Sequence, residues 1–211
     1  LGSEYAPELC RKLNVPVKWT GSFVCAFDKK DDVTVKELYG RGLKNRISQM
    51  EILNPSQIKK LEPNLSDKIT SALYAKTAGV VSPWELCLAF AETAVLNGTE
   101  LKRNFKVNSI KKIPCEQCNK EYKNAYEITS GKGEKVNASF VINAAGVYAD
   151  EIHSLVAKPS YKIKPSRGQY FLLDHEASGI VNRVIFQCPS NGTKGVLVAP
   201  TCHDNIIVGP D

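Results

Sequence analysis

The stretch FVINAAGVYADEI, residues 140–152, decides the fold that the sequence predicts. It opens with three apolar residues in succession, the pattern of a strand that is covered on both faces, as in a parallel sheet. Ala144, Ala145 and Gly146 then precede an apolar spacing typical of a helix. Small residues between a strand and a helix expose main chain at the carboxyl edge of a sheet, where open α/β folds bind ligands. Tight packing of the strand against the helix, without a ligand, explains the same pattern equally well.

The segments on either side favour antiparallel sheet. Late in the chain, short apolar runs separated by turn residues indicate a β-meander. These runs are GQYFLLD (168–174), NRVIFQCP (182–189), KGVLVAP (194–200) and NIIVGP (205–210). Strand-like segments at 16–27 and 71–81 add to this material. The sequence therefore predicts a mixed α/β (α+β) fold in three parts, residues 1–99, 100–158 and 159–211, with the parallel sheet in the middle part.

One helix has unusually clear signals. Ser82 can cap it, Pro83 suits its first turn, and Glu85 stands where a capping box needs an acidic residue. Asn97 and Gly98 mark its end. Its residues are apolar nearly all round, so we expect it to be buried on more than one side.

Composition limits the classes of protein that the chain can represent. Its 211 residues with 43% hydrophobic content support a buried core, and no apolar run is long enough to span a membrane. The net charge of +6 comes from bases scattered among acids, without a nucleic-acid-binding motif. Seven cysteines, an odd number at irregular spacings, suit a reducing compartment. We therefore expect a cytoplasmic protein that binds no nucleic acid, in which strand cysteines such as Cys25 and Cys188 serve packing.

Cys115 and Cys118 form a CxxC pair in a polar insert. Two thiolates at this spacing can bind one metal ion or form a small redox-active disulfide. A single pair is only half of a zinc site, and it does not open a helix as a thioredoxin-like motif would. An exposed loop with incidental thiols is the favoured interpretation, and no metal site is predicted.

The quoted stretch resembles the second flavin-contacting strand of the D-amino-acid oxidase superfamily. Other segments resemble, in order, the branch that contains glycerol-3-phosphate and L-2-hydroxyglutarate dehydrogenases: AGVVSPWELCLAFAETAVLNG (78–98), FKVNSI (105–110), IKPSRGQYFLLD (163–174) and VLVAPTCHDNIIVGP (196–210). In that family an FAD-binding domain alternates along the sequence with an antiparallel substrate domain. The resemblance implies that 100–158 belongs to the FAD-binding domain and that 1–99 and 159–211 form the substrate domain.

The GxGxxG turn with which the family begins to bind FAD is missing from this sequence. Gly40 and Gly42 are followed by Asn45 in place of the third glycine, and Gly131 and Gly133 by Val136. We therefore expect the chain to be an internal fragment of a longer enzyme, inactive on its own, which binds FAD poorly by itself.

The resemblance also implies positions for the cofactor. Val107 would lie near the adenosine half of FAD, and Ala144, Ala145 and Gly146 beside the flavin. Gly209 would approach the isoalloxazine ring.

The candidate substrate residues lie on the antiparallel sheet, which forms the roof over the flavin in this family. They are Arg167, Tyr170, Lys194, Thr201 and His203. Arg167 suits bidentate recognition of phosphate or carboxylate, and Lys194 could add charge, although both are equally explained as surface cations. His203 is the candidate general base, with a solvated histidine in a turn as the alternative. Asp204 stands where the family often has glycine, which affects the geometry of that turn.

Together these expectations predict an FAD-dependent oxidoreductase that oxidises a small anionic 2-hydroxy compound. The leading candidate substrate is sn-glycerol 3-phosphate. L-2-hydroxyglutarate is the alternative substrate, because phosphate and carboxylate both suit arginine. A flavin-free binding module and a metal or redox switch at Cys115 and Cys118 are the alternatives from other classes. The sequence indicates neither the electron acceptor nor the oligomeric state.

Overall fold

The computed structural model describes residues 2–114, 124–189 and 195–210. Its helices are α1 (Gly2–Lys12), α2 (Lys29–Lys44), α3 (Pro55–Leu61), α4 (Pro83–Leu96) and α5 (Ala149–Ser154). Its strands are β1 (Val17–Lys18), β2 (Ser22–Ala26), β3 (Met50–Leu53), β4 (Ser71–Ala75), β5 (Val80–Val81), β6 (Val107–Pro114), β7 (Asn124–Ser130), β8 (Lys135–Ala138), β9 (Phe171–Leu173), β10 (Val184–Gln187), β11 (Leu197–Pro200) and β12 (Ile206–Gly209). The chain forms two compact units, Leu1–Thr99 with Gly168–Asp211, and Glu100–Arg167.

The first unit is built on a seven-stranded sheet in the order β3-β4-β2-β10-β11-β12-β9. Strands from the beginning and the end of the chain meet where β2 pairs with β10, in parallel. The other pairings of this sheet are antiparallel. The mixed α/β class is confirmed, and all four strands predicted after residue 168 are present. Strands β10, β11 and β12 follow one another as the predicted meander, whereas β9 pairs with β12 and not with β10, which the meander would require.

Alternate residues of the strands form two different faces of this sheet. One face contributes Phe23, Cys25, Ile185 and Ile206 to the main core, where α3 adds Ile58. On the other face, α2 packs its Val35 against β2 and β4, with Cys188 in the same cluster. Cys25 is 1% exposed and Cys188 6%, so the predicted packing role of both thiols is confirmed.

The second unit contains a three-stranded antiparallel sheet, β6-β7-β8. A turn that contains Gly131 and Gly133 joins β7 to β8. A short 3-10 helix (Gly146–Tyr148) leads into α5, so the helix expected after the small residues is present in shortened form.

The doubly covered parallel strand expected at residues 139–143 is wrong. This segment belongs to no sheet of the described structure, and Phe140 is 63% and Ile142 91% exposed. A parallel strand is stable only between neighbouring strands that satisfy its backbone groups, and the described strands of this unit pair with one another instead. The parallel sheet predicted for the middle part is thereby replaced by an antiparallel one.

Helix α4 begins and ends where the sequence predicts, with Ser82 as its cap. Its expected burial on several sides is wrong, since Trp84 is 78% and Leu96 87% exposed. The described residues leave no residue of this helix fully buried. No helix among the described residues is long and apolar enough to span a membrane.

Candidate functional site

A cavity of about 710 Å³ lies over one face of the sheet in the first unit. Its apolar floor comes from β9, β10, β11 and β12 through Leu172, Val184, Leu197, Ala199 and Ile207. The register pairs Ala199 with Ile207, and Ile207 with Leu172, so these side chains share one face. A volume of this size is typical of small-molecule sites.

Polar groups gather at the walls of this cavity. Three of the predicted substrate residues line it, namely Tyr170, Thr201 and His203. The sequence interpretation missed others that also line it, which are Ser82, Trp84, Cys202 and Asn205. Ser82 and Trp84 belong to the segment 78–98, which indicated a helix start and carried part of the family resemblance but gave neither residue a place in a site. The available signal was an aromatic residue two positions after a helix cap.

Thr201 closes the turn that connects β11 to β12. Its Oγ1 accepts hydrogen bonds from the main-chain N–H groups of His203 and Asn205, each at 3.2 Å. Its own N–H donates to the carbonyl of Asn205 at 2.9 Å. Thr201 therefore shapes the turn that presents His203 to the cavity.

The same turn is attached to three other elements of the unit. His203 Nε2 lies 2.6 Å from Glu85 Oε1 in α4, and Asn205 Nδ2 donates to the carbonyl of Leu173 in β9 at 3.2 Å.

Asp204 pairs with Lys18 of β1, whose ammonium holds the pKa of the carboxyl below its usual range. Asp204 has a φ of 65°, a left-handed conformation that aspartate tolerates better than most residues. Aspartate is thus compatible with this turn.

Cys202 is held as a neutral thiol at the edge of the cavity. Its Sγ lies 3.1 Å from the carbonyl of Val80 and 3.4 Å from that of Pro16, and the thiol donates to these oxygens. Burial raises its pKa. Cys202 therefore stabilises the junction between the turn and β5 and is a poor nucleophile at neutral pH.

Gly209 packs against Gln169 and Tyr170, the two residues that precede β9. Its φ is 150°, and a Cβ at this position would lie 2.6 Å from the Gln169 carbonyl oxygen and 2.7 Å from Tyr170 Cδ1. Only glycine permits this close approach. Gly209 is not among the residues that line the cavity.

The turn predicted to contact the flavin lies in the second unit and is open. Asn143 braces it, because Nδ2 donates to the Ala149 carbonyl at 2.7 Å and Oδ1 accepts from the Ala145 N–H at 3.2 Å. Gly146 has a φ of 57°, and a Cβ placed there would have no neighbour within 4 Å. Bare, accessible main chain fits a flat cofactor lying against it.

The other predicted site residues that the structure describes do not line the cavity. Val107 begins β6 opposite Ser130 and is half-buried. Arg167 is exposed and has no hydrogen bond or ion pair among the described residues. Lys194, Cys115 and Cys118 lie outside the described residues. Within the described ranges, no three His, Cys, Asp or Glu side chains converge as metal ligands would.

The chain belongs to the DAO family of FAD-dependent oxidoreductases, whose family model matches residues 2–211. It is 43% identical over 204 residues to the glycerol 3-phosphate dehydrogenase of Caloramator mitchellensis, which covers 97% of this chain and 40% of that protein. It is 27% identical to the mitochondrial L-2-hydroxyglutarate dehydrogenase of Bos taurus, across 100% of this chain and 46% of that protein. The chain therefore spans less than half the length of these two relatives.

Among solved structures, the fold is similar to that of the dithionite-reduced L-alpha-glycerophosphate oxidase from Mycoplasma pneumoniae with FAD bound. The TM-score is 0.82 at 23% identity, covering 99% of this chain and 53% of that one. At this identity the likeness establishes the fold alone.

Proposed function

We propose that the protein of which this chain is part oxidises sn-glycerol 3-phosphate at C2 with FAD as the oxidant. The observation that carries the proposal is the apolar cavity over the antiparallel sheet, at whose wall His203, Thr201 and Tyr170 converge. The 43% identity to a glycerol 3-phosphate dehydrogenase supports this substrate ahead of others.

The chemistry assigns one role to each partner. FAD, when bound, supplies the two-electron oxidant that accepts the hydride from C2. His203 takes the proton of the C2 hydroxyl, so the alcohol becomes a ketone and loses two electrons and two hydrogens in all. The apolar floor of the cavity would contact the carbon atoms of the substrate.

The FAD would lie against the main chain of Ala144, Ala145 and Gly146. This assignment is supported by the open space at Gly146 and by the brace that Asn143 provides. Val107 would contact the adenosine half, and Gly209 would approach the ring. Because the GxGxxG turn is not in this chain, these residues would supply only part of the cofactor site.

The phosphate would be bound by Arg167 and Lys194. A guanidinium with no partner among the described residues is available for a bidentate interaction with an anion. The same group would bind a carboxylate, so L-2-hydroxyglutarate is the second candidate substrate, and the L-2-hydroxyglutarate dehydrogenase relatives that match the whole chain favour it. We also propose a reducing, cytoplasmic location, which the five free thiols of the described residues support.

The visible spectrum of the full-length protein tests the cofactor, since a flavin-free binding module would have no flavin absorbance. Anaerobic addition of each substrate then tests the reaction, and we expect faster bleaching of the flavin with sn-glycerol 3-phosphate than with L-2-hydroxyglutarate. His203→Asn should slow this reduction by about a hundredfold or more. The exposed His175 is the matched control, and His175→Asn should leave the rate unchanged. Bound flavin that neither compound reduces would refute the proposed substrates.

A further inference from the structure

Glu85 does not make the contact that its position in the helix predicts. Its N–H donates to Ser82 Oγ at 3.4 Å, which is one half of a capping box. In the other half, the Glu85 side chain would accept the Ser82 N–H. That N–H instead donates to the carbonyl of Pro16 at 3.4 Å. The Glu85 carboxylate is thereby released from the helix end and lies 2.6 Å from His203 Nε2, on a residue 118 positions away.

This contact determines which nitrogen of His203 can accept a proton. A carboxylate oxygen only accepts hydrogen bonds, so the neutral ring carries its hydrogen on Nε2 and its lone pair on Nδ1. Nδ1 has no hydrogen-bond partner among the described residues, and His203 lines the cavity. Once Nδ1 has taken up a proton, the adjacent carboxylate stabilises the positive ring.

Asp204 is the other carboxylate beside His203, and it is engaged elsewhere. Lys18 pairs with it from β1 and so keeps it from competing for the ring. Among the described residues, Glu85 is thus the acid whose carboxylate contacts the imidazole.

We propose that Glu85 is the positioning residue for His203, fixing the tautomer and the orientation in which Nδ1 removes the C2 hydroxyl proton of the substrate. This inference rests on the proposed function. It adds to that function a residue in α4, outside the β11–β12 turn that carries Thr201 and His203.

The kinetic test uses the full-length flavoprotein and the rate constant of flavin reduction at saturating sn-glycerol 3-phosphate. Glu85→Gln should lower this rate constant about tenfold or more, because an amide can accept from Nε2 but cannot offset the positive charge of the ring. The substrate concentration at half-saturation should stay close to that of the wild type. Glu92→Gln, an exposed substitution on the same helix, is the control and should change neither value.

A double-mutant cycle separates positioning from general support of the fold. In a His203→Asn background, Glu85→Gln should cause no further loss, since Glu85 acts through the ring. An equal-fold loss in both backgrounds, or no loss in the wild-type background, would overturn the proposal. A His203→Asn variant with an unchanged reduction rate would overturn it as well.

A second readout does not depend on turnover. Nitrogen NMR of isotope-labelled histidine should show His203 with its hydrogen on Nε2 in the wild type, and with a mixed population in Glu85→Gln; the signal is assigned by its loss in His203→Asn. A wild-type ring protonated on Nδ1 would overturn the proposal even if the enzyme is active. If neither substrate reduces the flavin, the proposed function fails, and this measurement still decides whether Glu85 fixes the tautomer.

Discussion

Arg183 and Glu62 form a buried ion pair, with Nη1 3.0 Å from Oε1, that ties the residue before β10 to the residue after α3. Glu62 is fully buried, and both of its oxygens also accept the N–H of Asn182 at 3.1 Å. The Arg183 guanidinium lies 5.6 Å from the ring centre of Phe23 and 5.5 Å from that of Tyr74. The pair therefore joins the first and last parts of the chain beside the one parallel strand pairing of the sheet.

Arg183→Met should destabilise the protein by about 3–5 kcal/mol, because it leaves the Glu62 carboxylate buried without its cation. The double variant with Glu62→Gln should recover part of this loss. Urea denaturation followed by circular dichroism provides the measurement. Lys135→Met breaks the exposed pair with Glu127 and should cost at most about 1 kcal/mol. An Arg183→Met variant as stable as this control would contradict the role of the buried pair.

Gly209→Ala should lower stability by about 1–3 kcal/mol from backbone strain alone, with a further cost from the contact with Tyr170. Gly40→Ala is the matched control, since a Cβ there meets nothing within 4 Å in the middle of α2. The control should raise stability by about 0.5–1 kcal/mol. The melting temperatures of the two variants should therefore shift in opposite directions from that of the wild type. A shift in the same direction would argue against the observed packing at Gly209.

Gly146→Asn tests the cofactor assignment in the full-length protein. Asparagine tolerates the positive φ of 57°, and its side chain enters open space, so the fold should be retained. The side chain would occupy the place proposed for the flavin, and the ratio of bound FAD to protein should fall. Gly133→Asn, at a φ of 85° in the β7–β8 hairpin, is the control that should keep its FAD. Equal flavin content in both variants would place the cofactor elsewhere.

The thiol of Cys25 should make stability fall at alkaline pH. Burial is the main cause that raises its pKa to about 12, from 9.0. Above pH 9 the unfolded chain loses this proton while the folded chain keeps it, so the contribution is complete below pH 9 and declines as the pH rises toward 12. The slope should reach about 1.4 kcal/mol per pH unit for this group.

Urea denaturation at several alkaline pH values measures that slope, and Cys25→Ala should reduce it. Cys188, whose pKa burial raises to about 11, should account for part of the slope that remains. Cys87 is exposed, and Cys87→Ala is the control that should leave the slope unchanged. A Cys25→Ala variant with the wild-type slope would contradict a protonated, buried thiol.

Features that depend on local sequence were predicted well. Ser82 with Pro83 marks the start of α4 because a capping oxygen and a fixed φ act within a few residues. The alternation of apolar residues and turns after residue 168 likewise predicts the strands themselves, of which β10, β11 and β12 pair with their neighbours along the chain while β9 pairs with β12. The parallel strand at 139–143 failed for the opposite reason, since its stability depends on partner strands that no local pattern specifies.

The sequence by itself determined the family and the strands after residue 168, because ordered motifs and short-range periodicity depend on neighbouring positions. The resemblance named Tyr170, Thr201 and His203 as candidates, and the tertiary structure decided that these three line one cavity. Only the tertiary structure decided that β2 pairs with β10, that Arg183 neutralises Glu62 and that Glu85 reaches His203. Each of these contacts joins groups more than a hundred residues apart. Their strength comes from burial and geometry that exist only after the chain has folded, so no pattern along the chain reports them.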